Sequence, residues 1–483
     1  MSNTDNHEPV FIRSGATPPV APPSSPPVLP AITPQPRNYD FLLSWKMPER
    51  GFARLVYNTK CVLNRNFKAN HEDYLKYQQY LAEVDAANAA YRAEVDRLNA
   101  EYQLADEASE ADYRQEFAQN ERAYARAYFQ AVTDYLIQRL RYLDNLGIRP
   151  IMAFCNIKSA GKTTTLLQVL SVIAQYTRRT VLAIPATQNS ATSTLALMAG
   201  IAKGMGVTIE ELSRRIDELD SYRALSTVVP KTPNGVGIVS EDTNNALNVN
   251  DQYNLNKFIE LLLKVLPSVD YIGLDLGNDN IRNDSIALAA ARFAHVLNFS
   301  YLDRKPVTVR SLENTVAGYN TDTQLDLRYY RLDGFEDVLT HTGIGTPTPE
   351  KVAHSIVIAN LAPIDAVIDY GKHMDPSQRV DSTLPQWAGV GINMPYDAWL
   401  DHADGSGEVK PVDLARITPV THQQALRIAV ANLEEAARVQ KIDISDAPRF
   451  VAPQKPVITR FRVPEPVLPK VPVIEHPFPT LKK

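Results

Sequence analysis

The chain is 483 residues long and 44% hydrophobic, with 50 basic against 55 acidic side chains, a net charge of −5. That leaves room for two or three domains and a full core, and it excludes a wholly disordered chain and a uniformly basic nucleic-acid coat protein. Two cysteines, Cys61 and Cys155, exclude a disulfide framework and most cysteine-built metal sites, and the nine histidines show no metal-ligand spacing. Met1–Pro9 carries acids and no apolar stretch, so it does not read as a secretory signal. No run reaches the roughly 18 apolar residues of a spanning helix. The expectation is a cytoplasmic protein of a reducing compartment.

Of 34 prolines, ten fall in residues 1–38 and nine in 448–483. Thr17 to Pro36 reads TPPVAPPSSPPVLPAITPQP. Proline removes backbone donors and fixes φ, so residues 1–38 read as a disordered leader with polyproline II character. It is either a solvated linker or a docking strip for an aromatic groove. Residues 39–70, with SWKMPERGFARLVYNTKCVLNRN, form a short basic amphipathic segment. Packing on the main domain or contact with a membrane surface would each suit it.

Residues 71–145 contain no proline, and tyrosine recurs every eleven residues at Tyr80, Tyr91, Tyr102, Tyr113, Tyr124 and Tyr135. Eleven residues make three turns at about 3.67 per turn, so the tyrosines share one face of a nearly straight helix. The segment holds 15 acids and 8 bases. It reads as a coiled coil that pairs between chains, or as a hairpin with a turn near Ala105–Ser109, where Asp106 interrupts the stripe. From 149 to 440 the pattern changes to strands alternating with helices. The strand runs are Pro150–Asn156, Thr180–Ile184, Tyr271–Leu276 and His354–Asn360; the helical runs are Thr163–Tyr176, Thr192–Lys203, Phe258–Leu266 and His422–Ala437. Such alternation implies an α/β fold with a mostly parallel sheet, whose ligands bind at the carboxyl ends of the strands. Residues 441–483 form a Pro-rich basic tail. From Pro448 onward it has seven basic residues against Glu465 and Glu475. A free linker is the expectation for it.

The strongest chemical signal is CNIKSAGKTTT, Cys155–Thr165, between a strand and a helix. A phosphate-binding P-loop has this context and the pattern G-x-x-x-x-G-K-[ST]. Asn156 stands in place of the first glycine; Gly161, Lys162 and Thr163 match. Asn156, Lys158, Ser159, Ala160, Gly161, Lys162, Thr163 and Thr164 are therefore candidates for holding ATP. Lys162 would reach the β- and γ-phosphates, and the Thr163 hydroxyl would bind Mg²⁺. Asp275, ending the apolar strand of VDYIGLDLGND, has the character of a Walker B carboxylate that holds the metal. Lys162 and Asp275 are the candidate catalytic pair, Thr163 and Asp275 the candidate metal ligands.

These motifs resemble the ParA/MinD group of P-loop ATPases over residues 149–437, and within it the actinobacterial MinD-like proteins with a Pro-rich leader. The segments Met394-Pro395-Tyr396-Asp397 and Leu414–Thr421 also match those proteins. The resemblance implies a P-loop NTPase fold preceded by the long helix, a nucleotide switch that uses ATP and Mg²⁺, and dimers formed across the nucleotide face. It implies an adenine contact for Asn360, at the end of HSIVIAN.

Two positions depart from the family. Its signature lysine falls in the register of Ile157, with Lys158 beside it in a loop one residue shorter. Its D-x-D strand end is replaced by Pro185 and Thr187, followed by Gln188. Hydrolysis is therefore expected to be slow while binding survives. The cellular role would be partitioning, conjugation or secretion-system positioning; the alternative is a catalytically degenerate scaffold that binds partners through the helix and tails. Self-association and an unidentified protein partner are expected, while contact with DNA or a membrane surface stays open.

Overall fold

The computed structural model describes residues 11–13, 50–155, 161–187, 194–202, 205–215, 222–240, 258–262, 264–276, 285–302, 356–362, 390–400 and 410–469. In chain order the strands are β1 (Phe11–Arg13), β2 (Ile151–Cys155), β3 (Val181–Ala186), β4 (Val207–Thr208), β5 (Val236–Ser240), β6 (Tyr271–Leu276), β7 (Val296–Leu302), β8 (Ile356–Ala362), β9 (Val390–Pro395) and β10 (Val457–Thr459). The longer helices are α1 (Phe52–Leu63), α2 (Arg65–Asn145), α3 (Lys162–Thr177), α4 (Ser285–Phe293) and α5 (Pro419–Val439). The chain divides into two compact units, Met1–Tyr124 with Gln454–Lys483, and Ala125–Pro453.

The second unit is built on an eight-stranded sheet in the order β4-β5-β3-β6-β2-β7-β8-β9. Its strand pairs are parallel. The sequence dictates this directly. Strands such as IMAFC, apolar at every position, and VLNFSYL, apolar but for Asn298 and Ser300, are buried throughout, as a sheet covered on both faces requires. Alternate residues feed two separate cores. Ile151, Ala153 and Cys155 pack with Phe258, Leu262 and the α4 residues Ala290 and Phe293. Met152 and Phe154 pack on the other face with Leu166 and Leu170 of α3, Leu426 and Leu433 of α5, and Leu136 and Leu140 of α2. The α/β expectation holds: a parallel sheet between two layers of helices.

Helix α5 starts where the chain supplies a cap: the Thr418 side chain accepts from the Thr421 N–H, and Pro419 fills the first turn. Its buried Asn432 exchanges two hydrogen bonds with Asn298 of β7, at 2.9 and 3.0 Å. Two fully buried amides thereby satisfy each other and fix the register of helix on sheet. At the amino ends of the strands a second polar knot forms. Asp144 accepts from Tyr271 at 2.9 Å and from Arg179 at 3.0 Å, while Arg149 pairs with Asp270 at 2.8 Å. Burial pushes the Tyr271 hydroxyl well above its ordinary range, with the Asp144 charge adding to the effect.

In the first unit, α2 runs without a break through Ala105–Ser109, which corrects the hairpin reading. Asp106 interrupts the stripe for a different reason: its carboxylate pairs with Arg460 at 2.7 Å. The tail is also not a free linker over its described residues, because Lys455 pairs with Glu121 at 2.8 Å and Arg460 with Glu110 at 2.9 Å. The leader contributes β1, which pairs in parallel with β10 of the tail; its other residues lie outside the described ones. The helix expected at Thr192–Lys203 is only Leu195–Met198 among its described residues. Gly200 ends it in the left-handed conformation, φ 76°, with its N–H bonded to Leu197. Cys61 is half-buried on α1 and Cys155 is buried at the end of β2.

Candidate functional site

The site candidates gather at the carboxyl ends of β2, β3 and β6. The register sets Asp275 of β6 beside Phe154 of β2 on one side and Pro185 of β3 on the other. Gly161 adopts the left-handed conformation, φ 78° and ψ 7°, and hands the chain into α3. Only glycine takes this turn without strain. The turn is closed by Thr165, whose N–H and hydroxyl both reach the Gly161 carbonyl, at 3.0 and 2.9 Å. Lys162 and Thr163 follow as the first residues of α3.

Side-chain direction does the rest. Tyr271, Gly273 and Asp275 alternate onto the face of β6 that α3 covers. The Thr163 hydroxyl donates to Asp275 Oδ2 at 2.8 Å. The Lys162 ammonium stands 3.7 Å from Asp275 Oδ1, beyond hydrogen-bond reach, so that contact is electrostatic. All three side chains are buried, Asp275 to 2% exposure. Burial pushes the Asp275 carboxyl up; the Lys162 charge and the Thr163 hydroxyl pull against it. Asp275 Oδ1 is a buried carboxylate oxygen without a hydrogen-bond donor. An oxygen so placed beside a threonine hydroxyl is the hard donor set that Mg²⁺ prefers, so the residues present fit that ion. Among the described residues no cluster of three His, Cys, Asp or Glu could hold another metal. None of their helices is long and apolar enough to cross a membrane.

Of the sequence candidates, Gly161, Lys162, Thr163 and Asp275 stand together. Thr164 is adjacent, but its hydroxyl points to the Met198 sulfur at 3.4 Å. Asn156, Lys158, Ser159 and Ala160 lie outside the described residues, as do Ile157 and Gln188. Asn360 is in β8, paired with Leu302 and Met394. Pro185 is buried beside Asp275, and Thr187 is 5% exposed at the end of β3. Sequence reasoning missed the link between two segments it had singled out. Asp397 Oδ2 accepts the Thr418 N–H at 2.8 Å, so the carboxylate after β9 holds the start of α5. The signal was an aspartate just past a strand and a Thr-Pro pair before a helix, 21 residues apart.

No protein-family model matches the chain, and no curated protein matches it significantly. Solved structures do. Apo McdA from Cyanthece is 19% identical over 44% of this chain and 72% of its own, with a TM-score of 0.30. A ParA family ATPase from Chlorobium tepidum is 13% identical over 58% and 98%, with a TM-score of 0.37. Cobyrinic acid a,c-diamide synthase from Mycobacterium smegmatis, with bound ADP and magnesium, is 15% identical over 44% and 74%, with a TM-score of 0.29. At such identities and scores the likeness carries no activity, ligand or partner across; what this chain has in its own right is the parallel α/β sheet with a Gly-Lys-Thr turn opening the helix after its first strand.

Proposed function

We propose that the protein is a nucleotide-dependent switch of the ParA/MinD kind, binding Mg·ATP at the carboxyl ends of β2 and β6 and hydrolysing it weakly. The observation that carries this reading is the buried contact of Thr163 with Asp275, reached by a left-handed Gly161 and flanked by Lys162. In this reading Lys162 neutralises the phosphates and Thr163 with Asp275 holds Mg²⁺. Asn156, Lys158, Ser159, Ala160 and Thr164 complete the phosphate cradle, and Asn360 meets the adenine. The bound metal would supply charge neutralisation at the phosphates. The contacts of Thr163 and Lys162 with Asp275 would be exchanged for contacts to Mg·ATP.

The switch would act in the cytoplasm by pairing with a second copy across the nucleotide face, in a partitioning, conjugation or secretion-positioning role. A non-catalytic scaffold is the second reading, favoured by one observation: the residue in register with Asp275 on β3 is Pro185, which offers no carboxylate. Calorimetric titration of ATP and ADP with Mg²⁺ separates the possibilities. Lys162→Ala should weaken Mg·ATP binding at least tenfold, about 1.4 kcal/mol. Equal affinity in wild type and variant would sink the assignment.

A further inference from the structure

The first unit holds a contact that nucleotide binding does not call for. Tyr91, Tyr102, Tyr113 and Tyr124 step along α2 every eleven residues and share one face. Four residues before the first three of them stand Ala87, Leu98 and Ser109, and these are buried, at 1%, 6% and 9% exposure. The tail lies against that face. Ser109 donates to the Phe461 carbonyl at 2.8 Å. The Lys455 ammonium sits 5.7 Å from the centre of the Tyr124 ring. Its second contact is the Glu121 carboxylate, and Arg460 reaches Asp106 and Glu110. As tail numbering rises, helix numbering falls, so the tail runs antiparallel to α2.

The form of the tail is legible in its burial. Val463, Pro466 and Pro469 turn inward, while the two residues between each face solvent. A period of three is that of polyproline II. At about 3.1 Å per residue, the stretch from Phe461 to Pro469 covers roughly 25 Å, about sixteen residues of helix. From Ser109, where Phe461 is held, that length would reach the turns around Leu98 and Tyr91. Aromatic-lined grooves are how polyproline segments are commonly recognised, and the α2 face beside the tail carries a tyrosine every eleven residues.

The leader contains the same tetrapeptide. Pro27-Val28-Leu29-Pro30 repeats Pro466-Val467-Leu468-Pro469. Parallel pairing of Phe11–Arg13 with Val457–Thr459 starts the leader beside the tail and in the same direction. Pro466 lies seven residues beyond Thr459, and Pro27 fourteen beyond Arg13. The leader thus has twice the chain needed to reach the same stretch of α2, at the high effective concentration of a tethered ligand.

We propose that the tyrosine face of α2 is a receptor for Pro-Val-Leu-Pro segments in polyproline II form, held here by the tail and contested by the leader's Pro27–Pro30. The test uses the full chain carrying Lys455→Glu and Arg460→Glu, which set like charges against Glu121, Asp106 and Glu110 and free the face. Pro27→Ala and Pro30→Ala are added so that the chain's own leader does not fill it. A fluorescent peptide of residues 22–36 is titrated in and followed by anisotropy. Binding should be at least tenfold tighter than to the wild-type chain. It should be lost with Tyr102→Ala and Tyr113→Ala in the receptor, or with both alanines in the peptide. If the tyrosine variants lose helical circular dichroism, the peptide substitutions decide alone. Absence of binding, or binding indifferent to the peptide prolines, overturns the proposal. So does a freed chain that dimerises in sedimentation without taking up peptide, since the face would then be a helix–helix interface.

Discussion

Asp275 is a carboxylate held between opposing demands. Burial raises its pKa above the unfolded value of about 3.9. The ligand-free fold therefore keeps a proton that the unfolded chain has already lost. Its contribution to stability is full below the unfolded pKa and fades as pH rises through the folded one. A bound Mg²⁺ needs the ionised form, so affinity runs the other way. Mg·ATP binding should weaken as pH falls from about 8 to 5, beginning above the ordinary carboxylate range, and that dependence should shrink in Asp275→Asn. Calorimetry across the range checks it; a fall of equal size in the variant would place the titrating group elsewhere. The identities of Gly161, Lys162, Thr163 and Asp275 as candidates were legible because Asp275 closes an apolar strand and the other three form a local Gly-Lys-Thr pattern at a helix start. The Asn298–Asn432 pair was not. Its partners are 134 residues apart; the apolar run around Asn298 implies burial, but nothing local names the side chain that satisfies it.

At the scale of elements, α3 rests on β6 through a missing side chain. A Cβ on Gly273 would stand 2.5 Å from Leu166 Cδ1 and 2.6 Å from Leu170 Cδ1. These leucines belong to the densely packed core under the Gly161 turn. Gly273→Ala should lift α3 from the sheet, at about 1–3 kcal/mol, and weaken nucleotide binding as Thr163 draws away from Asp275. Urea unfolding measures the first effect and calorimetry the second; an unchanged midpoint would mean that the leucines find other rotamers freely. Strand and helix types were readable from period and from apolar runs. What periodicity could not show was where a tertiary partner rewrites the pattern. Asp106 breaks the tyrosine stripe because Arg460 docks there. Arg139 likewise pairs with Glu434 and donates to the Pro448 carbonyl. At Asp106 a charge that looked like a helix interruption is a binding position for another part of the same unit.

For the whole molecule, the question is whether binding and turnover go together. In phosphoryl transfer, catalysis is almost entirely positioning and electrostatics. The β3 end supplies Pro185 and Thr187 and no carboxylate, while Lys162, Thr163 and Asp275, in the proposed reading, would serve ground-state binding. ATP turnover should therefore be slower than about one per minute even with excess Mg²⁺. A coupled phosphate-release assay on the full chain checks this; a rate near 1 s⁻¹, the low end of ordinary turnover, would show that another group fills the role. Restoring aspartate at Pro185 should not bring full activity, because it would also add an N–H and a charge to a buried strand built around neither.

The two thiols give the chain a built-in clock. Cys61 is partly open on α1, whereas Cys155 is 1% exposed at the end of β2, a strand inside the sheet. A thiol reagent meets the first at the pace of local fluctuations and the second only when the sheet itself opens. Mass spectrometry of a timed alkylation would thus count opening events of the sheet under native conditions, with Cys61 as internal reference. Any ligand that seals the carboxyl end of β2 would appear as a slowing of the second modification alone.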